Sequence, residues 1–208
     1  MAKKAWLDDR LNSVRKMATD PEGVELKAWL ERVEAFNREW FLRFEDILHR
    51  GAEGPMWMQD DGVAEKVRES LHKLDGDAFR LDPYCVMSNH VHTVFKPILS
   101  ERDLREIRDE GGHLAFASEH PALPRIMQSL KGSSARECNL LLSRTGQFWE
   151  HESFDHVIRK GEFNATIRYV LNNPVKAGLV KRWSDWRWSY CRKELVGELQ
   201  LAAERKTS

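Results

Sequence analysis

Apolar side chains recur at three- and four-residue steps between residues 24 and 49 (Leu26, Trp29, Leu30, Val33, Phe36, Trp40, Phe44 and Ile47 among them), with Glu, Arg and Asp between. That period predicts one long amphipathic helix, separated by Pro21 and Gly23 from an earlier helical stretch at about 5–18, and stopped by Gly51, Gly54 and Pro55. A further helix is predicted at about 61–74, where Val63, Val67, Leu71 and Leu74 share a face and Gly76 follows. The period then shortens, and two strands are predicted at about 79–87 and 90–96, joined by a tight connection at Ser88-Asn89 and closed by Pro97. Residues 100–110 read as a charged, exposed helix or loop, and Gly111-Gly112 to Pro121 as a connection. Residues 123–142 read as a helix with Ile126, Leu130, Ala135 and Leu140 among its apolar positions, and 153–159 as a strand. A last helix is predicted from Gly161-Glu162 to just ahead of Pro174, because the residue before a proline disfavours the helical region. Trp183 to Tyr190 has no clear period and receives no element. The order of elements predicts an α+β fold with a short antiparallel sheet.

Composition changes this picture little, and charge distribution changes it more. With 208 residues, 41% hydrophobic and 32% charged, the chain suits one domain with additions. The expected division is a helical N-terminal extension at 1–56, a main domain at 57–190 and a tail at 191–208. Net charge is zero, but residues 1–124 carry 18 Lys and Arg against 24 Asp and Glu, a net of −6, whereas residues 125–193 carry 13 against 6, a net of +7. The basic part also holds Trp149, Trp183, Trp186, Trp188 and Tyr190. Cations for phosphates and rings for bases are what a single-stranded nucleic acid requires; taken one at a time, the same tryptophans read as core. Cys85, Cys138 and Cys191 have no metal-ligand spacing and are expected as reduced thiols. No apolar run approaches the length of a membrane span, and the first ten residues turn acidic before any apolar stretch, so a cytoplasmic protein with no membrane partner is expected.

Candidate chemistry centres on His90-Val91-His92. On a strand, two residues separated by one lie on the same side of the sheet, so both rings can converge on one metal ion. Alone, such a pair is also what a wet sheet face carries. Tyr169 and Asn173 sit four apart at the end of the last predicted helix and therefore share a face. A tyrosine that attacks a phosphodiester must lose a proton from a pKa of about 10 and approach a charged phosphate. A divalent cation eases both by polarising the phosphoryl oxygen and aligning the scissile bond. Tyr169 is thus the candidate nucleophile and His90, His92 and Asn173 the candidate metal ligands. Capping the helix end ahead of Pro174 is the lesser alternative for Asn173, and Glu150 and His156 are alternative third ligands. Lys131, Arg136, Arg159, Lys160, Arg168 and Lys176 are candidate phosphate contacts. His49, His72, His113 and His120 are expected at the surface.

The segments Val86-Met87-Ser88-Asn89-His90-Val91-His92, Ile126 to Gly132, Gly146-Gln147-Phe148-Trp149-Glu150, Phe154 to Arg159 and Tyr169 to Val180 resemble, in order and spacing, the REP-associated tyrosine transposases. These are bacterial single-tyrosine HUH endonucleases related to insertion-sequence transposases of mobile elements. The resemblance covers about residues 57–190. It implies a ferredoxin-like HUH fold with an antiparallel sheet flanked by helices. It also implies a transposase that cleaves single-stranded DNA at hairpin-associated sites with Mg2+ or Mn2+, through a 5′-phosphotyrosine link that leaves a free 3′-hydroxyl. The family's metal histidines fall on His90 and His92, its nucleophile on Tyr169 and its helix-borne polar ligand on Asn173. REP-associated members are thought of as monomers and insertion-sequence relatives as dimers; a monomer is the expectation here. Two departures stand out. Ser88 occupies a position where the family often has proline. A family strand that precedes the first helices and pairs with the histidine strand has no counterpart in residues 1–56, which read as helical. Its absence would favour a DNA-binding protein that keeps the scaffold without turnover.

Overall fold

The computed structural model describes residues 54–104, 121–151, 153, 155, 157–158 and 161–197, together with Glu39. The predicted helices at about 5–18 and 24–49, the connection at 111–120, His49, His113, His120 and, but for residues 54–56, the stretch 1–56 in which the family strand was sought lie outside the described residues, Glu39 apart. Everything below belongs to the unit Met56–Ser208.

Helix α1 (Asp61–Lys73) begins where the sequence supplies a cap. The Asp60 carboxylate accepts from the Val63 amide at 3.0 Å, with Asp61 in the first turn and Lys73 in the last, as the helix dipole favours. Val63, Val67 and Leu71 of the predicted stripe are buried, and Leu74, its last member, is half-buried at the C-cap. Each such side chain contributes about 1.5–3 kcal/mol on burial, whereas the Lys66–Glu69 pair lies in solvent, where water screens it. The stripe therefore holds α1 in place. Against it lies α2 (Ala122–Leu141), whose Ile126 and Cys138 are buried in the same core.

Strands β1 (Phe79–Val86) and β2 (Val91–Pro97) form an antiparallel hairpin, and β3 (Ser189–Tyr190) pairs with the other edge of β1, giving the order β2-β1-β3. Every residue of β1 but Arg80 is buried, because both faces of the sheet are covered. Tyr84 and Val86 enter the core shared with α1 and α2; Cys85 and Met87 face the other way, with Val94 and Val170. Pro83 cannot donate to a ladder, and the register shifts between Leu81 and Tyr84: three residues of β1 pass while β2 advances by two, from Phe95 to Thr93. The extra residue restores Phe79, Leu81, Tyr84 and Val86 to one face.

The second face is covered by α3 (Phe163–Leu171), which buries Ile167, Val170 and Leu171. The helix stops ahead of Pro174 as expected, but the chain does not leave helical geometry: a single turn, α4 (Asn173–Lys176), follows with Pro174 in its first positions. A proline breaks a helix from inside and is well tolerated at its start. Three expectations are corrected. The predicted strand at 153–159 is not formed by its described residues, 153, 155, 157 and 158, which have no regular structure. The place beside β1 is taken instead by Ser189–Tyr190, from the segment left unassigned. Residues 191–197 belong to the fold rather than to a tail: Arg192 donates to the Leu81 carbonyl at 2.6 Å, and Leu195 is buried with Ile167 and Leu171. His72, expected at the surface, is half-buried against Tyr84 and Tyr190. The class is α+β with a three-stranded antiparallel sheet.

Candidate metal and tyrosine site

The hairpin places the two histidines together. His92 lies on β2 opposite Cys85 of β1, and His90 lies just before the first residue of β2, where the Met87 amide donates to its carbonyl at 2.9 Å. Ser88, the departure from the family pattern, accepts from the Met58 amide at 3.1 Å, which ties the turn to a short 3-10 helix at Trp57–Gln59. The Trp186 indole donates to the Val86 carbonyl at 2.9 Å and fixes the base of the same hairpin. The imidazole rings of His90 and His92 stand 4.8 Å apart between centroids and nearly perpendicular.

Nδ1 of His90 lies 2.7 Å from the Asn89 side-chain oxygen. An amide oxygen only accepts, so this contact is compatible with the tautomer that a metal ligand requires, with the proton on Nδ1 and the lone pair on Nε2. The Nε2 atoms of both rings are buried. Two imidazoles fit a divalent cation of borderline softness, which suits Mn2+ better than Mg2+, a cation that favours oxygen. Among the described residues no third His, Cys, Asp or Glu joins the pair to make a metal-holding cluster. Cys85, across from His92, is a buried thiol: burial pushes it up to about 12, against an opposing hydrogen bond with Ser189.

Helix α3 crosses the same sheet face and carries Tyr169 to the pair. The Tyr169 ring meets His92 edge to face, with centroids 5.7 Å apart. On its face lies the Lys176 ammonium, 4.1 Å from the ring centroid. Asn173 is fully buried, and its Nδ2 donates to the Tyr169 carbonyl at 2.9 Å. That is the capping role.

The other expected phosphate contacts are dispersed. Lys131 donates to the Glu150 and His151 carbonyls at 2.8 and 3.1 Å, so it anchors the 150–151 segment to α2. Arg136 is exposed on α2, and Arg168 is half-buried beside Tyr169 on α3. Arg159, Lys160 and His156 lie outside the described residues, and Glu150 is exposed. The aromatics of the basic segment are packing groups: Trp188 is 5% exposed, Trp149, Trp186 and Tyr190 pack on the main core, and Trp183 on the Ile167–Leu171 cluster. Sequence reasoning missed Asn89 as the partner of His90, whose only signal was its place inside the motif. It also missed that Lys176 meets the tyrosine itself. No protein-family model, curated protein or solved structure matches the chain.

Proposed function

We propose that this protein is a metal-dependent single-stranded DNA endonuclease and transposase on a ferredoxin-like HUH scaffold, cutting and rejoining DNA at hairpin-associated sites through Tyr169. The observation that carries the reading is the contact of Tyr169 with His92 and of His92 with His90, 5.7 and 4.8 Å between rings, from segments far apart in sequence. In this reading His90 and His92 hold the divalent ion, with the Asn173 amide oxygen as third ligand. When bound, the ion polarises the phosphoryl oxygen and offsets its charge.

The side chains do the rest. Tyr169 projects from a helix packed on the sheet, so its ring is held beside His92 of the hairpin. Its oxygen forms a bond to phosphorus while the bond from phosphorus to the 3′ oxygen breaks. The phenolic proton passes to water, and the departing 3′ oxygen takes one up, leaving a free 3′-hydroxyl and a 5′-phosphotyrosine. Rejoining is the reverse, with a DNA 3′-hydroxyl as attacker. Arg168 and Arg136 are the proposed backbone contacts, together with Arg159 and Lys160. The proposed setting is the cytoplasm and the proposed working unit a monomer; among the described residues no helix is long and apolar enough to cross a membrane.

A second reading, a DNA-binding protein without turnover, is favoured by one observation: among the described residues β2 pairs only with β1, so the histidine strand is outermost in the described sheet. End-labelled hairpin DNA with single-stranded flanks, incubated with the protein and Mn2+, separates the two. A metal-dependent covalent adduct, absent in Tyr169→Phe, supports the enzyme. Retention of DNA with no adduct in the wild type supports the binding protein.

A further inference from the structure

The segment Asn173-Pro174-Val175-Lys176-Ala177-Gly178-Leu179 encodes a complete miniature helix. Pro174 stands in its first positions; at the other end the Gly178 amide donates to the Val175 carbonyl at 3.0 Å and the Leu179 amide to the Pro174 carbonyl at 2.9 Å, with Gly178 at φ +71°. Those two bonds and the left-handed glycine make a Schellman stop. The turn is fastened to α3 by the buried Asn173 amide on the Tyr169 carbonyl. Its one long charged side chain, Lys176, is in an exposed position yet lies over the Tyr169 ring at 4.1 Å. An ammonium ion prefers water unless something holds it, and a ring face attracts it only weakly at the surface. The turn is therefore what puts the cation there. Tyr169 thus has two ring-level neighbours, the His92 imidazole nearly perpendicular to it and the Lys176 cation over its face.

We infer that Lys176 is a positioning residue for Tyr169: it holds the phenol ring in the orientation from which its oxygen attacks, and the purpose of the one-turn helix is to deliver it. This rests on the proposed function and assigns Lys176 a role other than that of a general phosphate contact. A phosphate contact supports DNA binding, and its loss lowers affinity and the salt dependence of binding. A positioning group supports the rate after binding, because small misplacements of a nucleophile cost far more in rate than in affinity.

Two measurements on the full chain test it. Proton NMR with selectively labelled lysine reads the contact: the Lys176 ε-methylene protons are expected to be shifted upfield of those of the other lysines, and the shift to vanish in Tyr169→Leu. Single-turnover cleavage at saturating DNA reads the role: Lys176→Met is expected to lose roughly tenfold to a hundredfold in rate, with DNA affinity and Tm nearly unchanged, and Lys176→Arg, which keeps the cation, to recover most of it. Absence of the ring shift, a wild-type rate in Lys176→Met, or a loss confined to affinity overturns the inference while leaving the proposed function intact. A wild-type chain that forms no adduct, with the ring shift present, overturns the proposed function and the positioning role with it.

Discussion

Gly178→Ala tests whether the turn after Asn173 is held by its glycine. Gly178 has φ +71°, and a Cβ built on it meets nothing within 4 Å. Steric clash with the rest of the fold therefore contributes nothing, and the cost is conformational alone. An L-residue in the left-handed region costs about 1–2 kcal/mol, offset by about 0.4–1 kcal/mol from the lower entropy of the unfolded alanine chain. The net expected loss is about 1 kcal/mol. Gly178→Asn should lose less, since asparagine visits this region more readily than alanine. Urea unfolding measures both, with the midpoint falling and the slope unchanged. The same alanine variant should cleave DNA more slowly, since its strained turn carries Lys176. Equal stability of wild type, Ala and Asn variants would refute the reasoning, as would a loss above about 3 kcal/mol, which belongs to a buried clash or cavity rather than to a dihedral angle.

Other consequences are open to measurement. His72 is lowered from its ordinary value chiefly by burial, with the Arg68 guanidinium acting in the same direction, and its Nε2 lies 3.0 Å from the Tyr84 hydroxyl, which burial keeps protonated with a pKa of about 12. The fold thus prefers neutral His72: its contribution is present above the unfolded histidine pKa of about 6.5 and is lost as pH falls through the lower folded value. Stability measured from neutral to mildly acidic pH should fall more steeply in the wild type than in His72→Gln; parallel curves would contradict this. Mn2+ at about a hundred times its dissociation constant should stabilise the wild type by about 2.7 kcal/mol in thermal unfolding, and His92→Ala should lose that gain. An equal shift in both would remove His92 from the metal site.

Much of the fold was legible because long elements declare their period. The α1 stripe of Val63, Val67 and Leu71 and the hairpin around Ser88-Asn89 follow from spacing alone, with boundaries within about two residues. The failures share a cause. Ser189–Tyr190 is a two-residue strand, too short for any alternation, and its pairing is set by tertiary contacts such as the Val86 amide to the Trp188 carbonyl at 3.0 Å. The strand expected at 153–159 has no regular structure at its described residues, 153, 155, 157 and 158. Pro174 was read correctly as a stop for α3, while its second meaning, the start of α4, needed the Schellman bonds at Gly178 to become visible. For the site, the His-x-His spacing carried the pairing of the rings, and the four-residue step carried the link between Tyr169 and Asn173. Which atom of Asn173 is engaged, and that Lys176 lies on the tyrosine, depend on side-chain geometry that no spacing contains.

The proposed chemistry ends with phosphorus bonded to one named oxygen. The most direct test is to incubate the full chain with Mn2+ and single-stranded DNA carrying a hairpin, digest it, and identify by mass spectrometry the peptide that carries a nucleotide. The account predicts a 5′-phosphate on Tyr169, with a free 3′-hydroxyl on the released strand and no adduct in Tyr169→Phe. A nucleotide on Tyr84 or Tyr190, or cleavage that leaves no covalent adduct, would contradict it.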